Sequence, residues 1–209
     1  MGDCMGDNTN PWVTGGVASE DEQEILPAAQ LTTRREALRG PSAPQPTSVQ
    51  VPESAERLPT RQVFTGVSMW WLGAHGGAGE TTLSTLVQGS QPSEHAWPVP
   101  NERGASNRVT VVARTNYAGL MAAQRAAREW AAGTTAGLVD LAGLVLIADA
   151  PGRRPKELRQ LEQHIAGGYP RLWILPWVEA WRMGPPSPDD MPREYRALLA
   201  DLNLTASTN

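Results

Sequence analysis

One glycine-rich stretch, residues 73–83 (GAHGGAGETTL), combines the residue types that could hold a phosphate. Three of its glycines lie close together and precede two threonines, namely Gly76, Gly77, Gly79, Thr81 and Thr82. Glycines let backbone N–H groups converge on an anion, and a helix that begins just after them adds positive potential at its N-terminus. A threonine just inside such a helix can bind magnesium. The stretch therefore has the layout of a phosphate cradle, built from a strand, a glycine loop and a helix.

The position before the first threonine, where a phosphate cradle usually has a lysine, is occupied by Glu80. A charge pair at about 4 Å in an effective dielectric of about 20 is worth about 4 kcal/mol, so a carboxylate here opposes triphosphate binding. Lys156 is the only lysine in the chain, which leaves Arg114, Arg153 and Arg154 as substitute cations. An arginine could replace the lysine, or it could pair with Glu80 and close an empty cradle. We favour the closed cradle.

This stretch resembles the deviant Walker A motif of the ParA/MinD ATPases, K-G-G-x-G-K-T-T. It matches at the glycines and threonines and differs at both lysines, which are His75 and Glu80. Residues 144–152 (LVLIADAPG) are similar to the Walker B segment of that family, and the resemblance implies that Asp149 indirectly supports a bound magnesium ion. The segments GAHGGAGET, VVART, ADAPGR and PWVEAWR also resemble an actinobacterial family of degenerate P-loop proteins. The resemblance covers roughly residues 66–183.

The resemblance implies an α/β domain with the parallel sheet of a ParA/MinD-like P-loop NTPase, and it leaves three functions open. The leading hypothesis is a pseudo-ATPase, a scaffold or regulator without catalytic residues or cofactor, in plasmid, conjugative or positioning systems by family analogy. In the first alternative, an arginine replaces the lysine and the protein is an ATP-dependent switch that dimerises over nucleotide. Thr81 and Asp149 would then serve the Mg²⁺ of a bound ATP. In the second alternative, the run Arg153-Arg154-Pro155-Lys156 contacts DNA.

The segments around these motifs alternate between strand and helix patterns. Strands are predicted at residues 68–73, 108–114, 141–148 and 171–175, with an edge strand at 95–99, and helices at residues 81–87, 116–130, 155–166 and 191–202. Such alternation indicates right-handed crossovers and a parallel sheet. Ligands of parallel sheets bind outside the carboxyl ends of the strands, where the glycine loop, Arg114 and Asp149 are all predicted to lie. No strand that carries an aspartate is evident between Val87 and Arg108.

The composition divides the chain near residue 60. Residues 1–60 contain nine acidic residues, four basic residues and seven prolines. Such a composition cannot bury enough apolar surface to offset the entropy of ordering, so we predict a disordered tail before a domain at residues 61–209. A short helix over residues 18–38 is an alternative within this tail. Trp12 is either a docking element for a protein partner or an incidental exposed residue.

Composition also excludes several classes of protein. The chain has 209 residues and a net charge of -4, and no apolar run approaches the roughly 20 residues that span a bilayer. The single cysteine, Cys4, excludes an internal disulfide framework. The three histidines do not have the spacing of a metal site. We therefore predict a cytoplasmic protein with no membrane segment and only weak support for nucleic acid.

The expected partner is another protein, and a homodimer is also open. Trp177 and Trp181, four residues apart after the last predicted strand, could form a partner-binding ridge. Packing of both side chains against the sheet or a helix is the equal alternative.

Overall fold

The structure is a computed structural model that describes residues 40–207 of the chain. The predictions for Trp12 and for a helix over residues 18–38 lie outside the described residues. Within residues 40–207 no helix combines the length and apolarity that crossing a membrane requires.

Residues that precede the predicted domain boundary at residue 60 already form hydrogen bonds with the domain. The N–H of Gly40 donates to the carbonyl of Tyr169 (2.9 Å), and the N–H of Leu58 donates to the carboxylate of Glu129 (2.7 Å). The described part of the predicted tail is therefore anchored to the domain. The donors of these hydrogen bonds are backbone N–H groups, so the amino-acid composition of the segment could not predict them.

The described residues form seven strands, five α-helices and one 3-10 helix at Ser54–Glu56. The strands are β1 (Thr60–Val63), β2 (Met69–Gly73), β3 (Ser90–Pro92), β4 (Trp97–Pro100), β5 (Asn107–Arg114), β6 (Val139–Ile147) and β7 (Leu172–Leu175). The helices are α1 (Glu80–Leu86), α2 (Tyr117–Ala131), α3 (Lys156–Ala166), α4 (Ala180–Met183) and α5 (Arg193–Leu202).

Five of the strands form one parallel sheet in the order β3-β2-β5-β6-β7. The central strands β2, β5 and β6 are largely buried on both faces of this sheet, as is typical of parallel sheets. Trp70 and Leu72 contribute to a core on one face that includes α2 and α3, while Met69 and Trp71 contribute to a core on the other face with α1 and α5. The prediction of an α/β domain with a parallel sheet is confirmed.

The segment between α1 and β5 contains two strands, whereas one was predicted. β3 adds an edge strand to the main sheet, and β4 pairs with β1 in a separate two-stranded parallel sheet. The predicted edge strand at residues 95–99 corresponds to β4, shifted by one or two residues. Each of these strands has only three or four residues, too few for a detectable alternation. None of them carries an aspartate.

The sheet register brings three loops to one edge. Gly73 at the end of β2 pairs with Val112, and Arg114 at the end of β5 pairs with Ile147 at the end of β6. The glycine-rich loop, the β5–α2 turn and the loop after β6 therefore leave the sheet side by side. This edge is where the sequence predicted the candidate site.

Candidate functional site

Glycines at positions 77 and 79 determine the backbone path of the glycine-rich loop. Both have left-handed backbone angles, with φ of 73° at Gly77 and 109° at Gly79. A Cβ atom on Gly79 would lie 2.6 Å from Cδ1 of Ile147, so a larger residue would collide with the end of β6. The loop thus packs directly against the sheet edge before α1 begins.

Glu80 is the first residue of α1 and is almost completely buried, with 6% of its surface exposed. Its Oε2 accepts a hydrogen bond of 2.7 Å from the N–H of Gly73, the last residue of β2. A Cβ atom on Gly73 would lie 2.9 Å from this oxygen, so the close approach needs glycine there. The side chain therefore turns back under the loop and satisfies a backbone donor.

The side chain of His95 also contacts Gly73 at the end of β2. No sequence pattern indicated it as a site residue. Its Nδ1 lies 3.0 Å from the carbonyl oxygen of Gly73 and 3.5 Å from Oε1 of Glu80. A carbonyl oxygen can only accept, so Nδ1 carries a proton in this geometry. Left-handed backbone angles at Glu94 and His95 (φ of 55° and 58°) place the ring there. No sequence signal predicts that backbone shape in a polar loop.

Arg114 spans the loop edge but does not pair with Glu80. Its Nε donates to the carbonyl of Gly77 and its Nη1 donates to the carbonyl of Ala148, both at 3.0 Å. We expected an arginine to close the cradle by pairing with Glu80, and this expectation is wrong. Arg114 donates instead to the backbone carbonyls of the loops on either side of it. Among residues 40–207, the side chain within ion-pair distance of Glu80 is that of His95, with Nδ1 and Oε1 3.5 Å apart.

His75, at the first position where the family pattern has lysine, is directed into the fold. Its Nε2 accepts from the N–H of Arg114 (3.1 Å), and its Nδ1 lies 2.9 Å from the carbonyl of Gly76. One ring nitrogen thus accepts from a backbone N–H, and the other lies within hydrogen-bond distance of a backbone carbonyl. The ring also lies against Gly119 of α2, where a Cβ atom would be 2.9 Å from Nε2.

Asp149 is linked to Thr115 and not to the start of α1. The hydroxyl of Thr115 donates to Oδ1 of Asp149 (2.7 Å), and the N–H of Asp149 lies 3.3 Å from the same hydroxyl oxygen. β5 separates the strand of the glycine loop from the strand of Asp149. Thr81 is exposed and Thr82 is half-buried, and the carbonyl of Thr81 accepts from the hydroxyls of Ser84 and Thr85.

The basic run after β6 is only partly available to a ligand. Arg153 is exposed, whereas Nη1 of Arg154 lies 3.3 Å from Oε2 of Glu162. Burial raises the pKa of Glu162, and the charges of Arg154 and Arg159 act against that rise. Arg159 also donates to the carbonyl of Arg154 (3.0 Å). One cation of the predicted DNA contact is therefore used within the fold.

Trp177 and Trp181, which follow β7, lie in different environments. Trp181 packs edge-on against Tyr195 of α5, with ring centroids 4.9 Å apart. Trp177 is half-buried, and its Nε1 donates to Glu179 (2.6 Å). Packing against a neighbouring helix thus accounts for Trp181 but not for Trp177.

Comparison with known families gives one match. The model of a family of unknown function, DUF6668, matches residues 67–199, which is most of the α/β domain. The chain belongs to the DUF6668 family. The matched range includes the glycine-rich loop, Glu80, Arg114 and Asp149. No curated protein and no solved structure matches the chain.

The site of this DUF6668 chain is a poor fit for a magnesium triphosphate. Glu80, a buried carboxylate, stands at the position where the Walker A pattern that this loop resembles has a lysine. Asp149 is hydrogen-bonded to Thr115, and within the described residues no hydrogen bond joins it to Thr81. Nor do residues 40–207 contain a cluster of three or more His, Cys, Asp or Glu side chains that could hold a metal ion.

Proposed function

We propose that this chain is a catalytically degenerate ParA/MinD-like P-loop protein, a pseudo-ATPase that serves as a scaffold or regulator and does not turn over ATP. The hydrogen bond from the N–H of Gly73 to the buried carboxylate of Glu80 carries this proposal. It makes the carboxylate an integral part of the loop.

Electrostatics support the loss of triphosphate binding. A like-charge pair about 4 Å apart costs about 4 kcal/mol at an effective dielectric of about 20. That energy corresponds to roughly a thousandfold in affinity. The chain has one lysine, Lys156, at the start of α3, so no lysine on the loop offsets the charge of Glu80.

The side chains around the loop support a rigid surface in place of a nucleotide switch. Arg114 joins the glycine loop to the loop after β6 through two backbone carbonyls. His75 joins the same loop to the end of β5, and His95 joins it to the β3–β4 segment. A switch that responds to nucleotide has to reorganise such loops, whereas a scaffold benefits from their fixed geometry.

One observation favours the second candidate, an ATP-binding switch in which an arginine replaces the lysine. The guanidinium of Arg114 already lies over the loop, bound to the carbonyl of Gly77. Within residues 40–207 no hydrogen bond is donated by the N–H groups of Gly76 and Gly77, and both residues are exposed. These groups could still receive an anion.

Thermal unfolding with and without Mg-ATP distinguishes the two candidates. The pseudo-ATPase predicts no rise in the melting temperature of the wild-type chain, because Glu80 repels the triphosphate. Glu80→Lys should gain a magnesium-dependent rise, because the free N–H groups of the loop then have a cation beside them. Glu80→Gln removes the charge but keeps an acceptor for Gly73, so it reports whether the fold tolerates a change here. A rise in the wild-type chain that Arg114→Ala removes would support the switch and contradict the proposal.

A further inference from the structure

The strand β1 presents one unpaired edge. It is the outer strand of the two-stranded sheet with β4, and no other strand of residues 40–207 pairs with it. The carbonyls of Pro59 and Val63 accept from N–H groups of the β4 segment, at Trp97 and Asn101. Backbone groups of a strand point alternately to its two edges. Those of Thr60, Gln62 and Phe64 therefore point away from β4.

The outward groups are accessible. Thr60 and Gln62 are exposed, and among the described residues no hydrogen bond outside the β1–β4 ladder involves the backbone N–H or carbonyl of Thr60, Gln62 or Phe64. A strand edge with unpaired N–H and carbonyl groups can pair with another strand.

An apolar cleft lies along the same edge. It has a volume of about 310 Å³ and is lined by Arg61, Gln62, Val63, Phe64, Val67 and Trp70. Phe64 is 80% exposed, far more than the other apolar residues of the lining. Because the lining includes residues that point to both faces of β1, a strand placed along this edge would cover the cleft. An exposed phenyl ring beside an apolar cleft indicates a protein interface.

We propose that β1 pairs with β1 of a second copy of this chain, antiparallel about a two-fold axis through Gln62. In this register Gln62 faces Gln62 of the second copy, and Thr60 faces Phe64 of the second copy. All three residues direct their backbone groups outward, so each facing pair exchanges two hydrogen bonds. The interface is separate from the glycine-rich loop and does not depend on nucleotide.

The side chains favour a second copy over an unrelated strand. An aromatic side chain opposite a β-branched one is a favourable cross-strand pair, and the Thr60–Phe64 pair occurs twice. Arg61 would face Val63 of the second copy, so no like charges oppose each other. Arg61 also has its own anion in Glu94, with Nη1 and Oε2 2.8 Å apart. The edge is thus complementary to itself, as a two-fold interface requires.

The first test removes one outward donor from each copy. Gln62→Pro deletes the N–H that faces the second copy, and proline is tolerated in a strand where the N–H points away from the sheet. The matched control, Gln62→Thr, keeps that N–H. Sedimentation equilibrium of the full chain should show a concentration-dependent dimer for wild type and for Gln62→Thr. The dissociation constant of Gln62→Pro should rise about thirtyfold or more. Equal melting temperatures at dilution would show that both variants fold.

A wild-type chain that stays monomeric at high micromolar concentration would overturn the proposal. So would a dimer that Gln62→Pro leaves intact, because another surface would then hold it. A peptide strand from another protein could also bind this edge while the chain is monomeric. That result would overturn the proposal and assign the edge to a different partner.

The second test reads the register by cross-linking, in a Cys4→Ser background so that each variant has one cysteine. Facing residues of an antiparallel pair have Cα atoms about 5.5 Å apart, within the range of a disulfide. Gln62→Cys should therefore form a covalent dimer on mild oxidation. Thr60→Cys should not, because the two copies of residue 60 would be about 14 Å apart at about 3.4 Å per residue. Efficient cross-linking through residue 60 alone would contradict this register.

Discussion

At the scale of single residues, the side chains around the glycine-rich loop are used by the fold itself. Glu80 accepts from the backbone of Gly73, and Arg114 donates to the backbone of the loops on either side of it. His75 accepts from the N–H of Arg114. Side chains that satisfy neighbouring backbone groups in this way stabilise the loop, and removing the carboxylate of Glu80 would leave the buried N–H of Gly73 without its acceptor.

Gly119 tests how tightly the loop is packed on α2. A Cβ atom there would lie 2.4 Å from the carbonyl oxygen of Arg114 and 2.9 Å from Nε2 of His75. We expect Gly119→Ala to lower the free energy of unfolding by about 1–3 kcal/mol, as overpacking typically does. Gly76→Ala is the matched control, because a Cβ atom on Gly76 meets no atom within 4 Å. Urea denaturation compares the two, and equal stabilities would contradict the packing described.

Glu129 predicts how stability depends on pH. It accepts from the N–H of Leu58 (2.7 Å) and from Nε1 of Trp97 (2.5 Å), yet burial is the larger influence and raises its pKa. The folded chain therefore binds this proton more tightly than the unfolded chain. The resulting stabilisation is complete below the ordinary carboxyl pKa and is lost as pH rises through the raised pKa.

The corresponding measurement is the unfolding free energy of wild type and Glu129→Gln from acidic to neutral pH. The advantage of wild type over the variant should shrink as pH rises, because only the wild-type carboxyl loses its proton. Glu162→Gln should show the same trend, since burial also raises the pKa of Glu162. An advantage that grows with pH would show that the charged carboxylate is the favoured form.

At the scale of elements, a side-chain cap fixes where α2 begins beside the site. Oδ1 of Asn116 accepts from the N–H of Gly119 at 2.8 Å. Asn116→Ala should lower the free energy of unfolding by about 1 kcal/mol, the usual effect of losing such a cap. Asn116→Asp keeps the acceptor and should retain most of the stability. If thermal unfolding finds the alanine variant as stable as wild type, the cap contributes nothing.

The main strands were predictable because each is a run of mainly apolar residues. β2, β5, β6 and β7 all fall within or close to their predicted ranges, and their parallel order placed the loops of the candidate site together. β1 and β3 were missed, because each has three or four residues and a mostly polar sequence.

The contacts within the site were less predictable than its location. The carboxyl ends of parallel strands meet at one edge, so the proximity of the glycine loop, Arg114 and Asp149 followed from topology. The position of His95 beside Glu80 did not follow from topology. It depends on left-handed backbone angles at two residues of the β3–β4 segment. An arginine was expected to pair with Glu80, whereas Arg114 donates to two backbone carbonyls, a contact that no sequence pattern indicates.

At the scale of the whole molecule, the two surfaces under discussion are distinct. The glycine-rich loop lies at the carboxyl edge of the five-stranded sheet, whereas the free edge of β1 belongs to the separate two-stranded sheet. The proposed loss of nucleotide binding and the proposed dimer can therefore be tested independently. Gln62→Pro should leave nucleotide behaviour unchanged, and Glu80→Lys should leave the dimer unchanged.

The most direct measurement is a calorimetric titration of the wild-type chain with ATP in the presence of magnesium. A carboxylate held beneath the loop by the N–H of Gly73 predicts no saturable heat of binding at ATP concentrations up to the millimolar range. Saturable, magnesium-dependent binding of one ATP per chain would contradict the proposal that Glu80 has removed the nucleotide site.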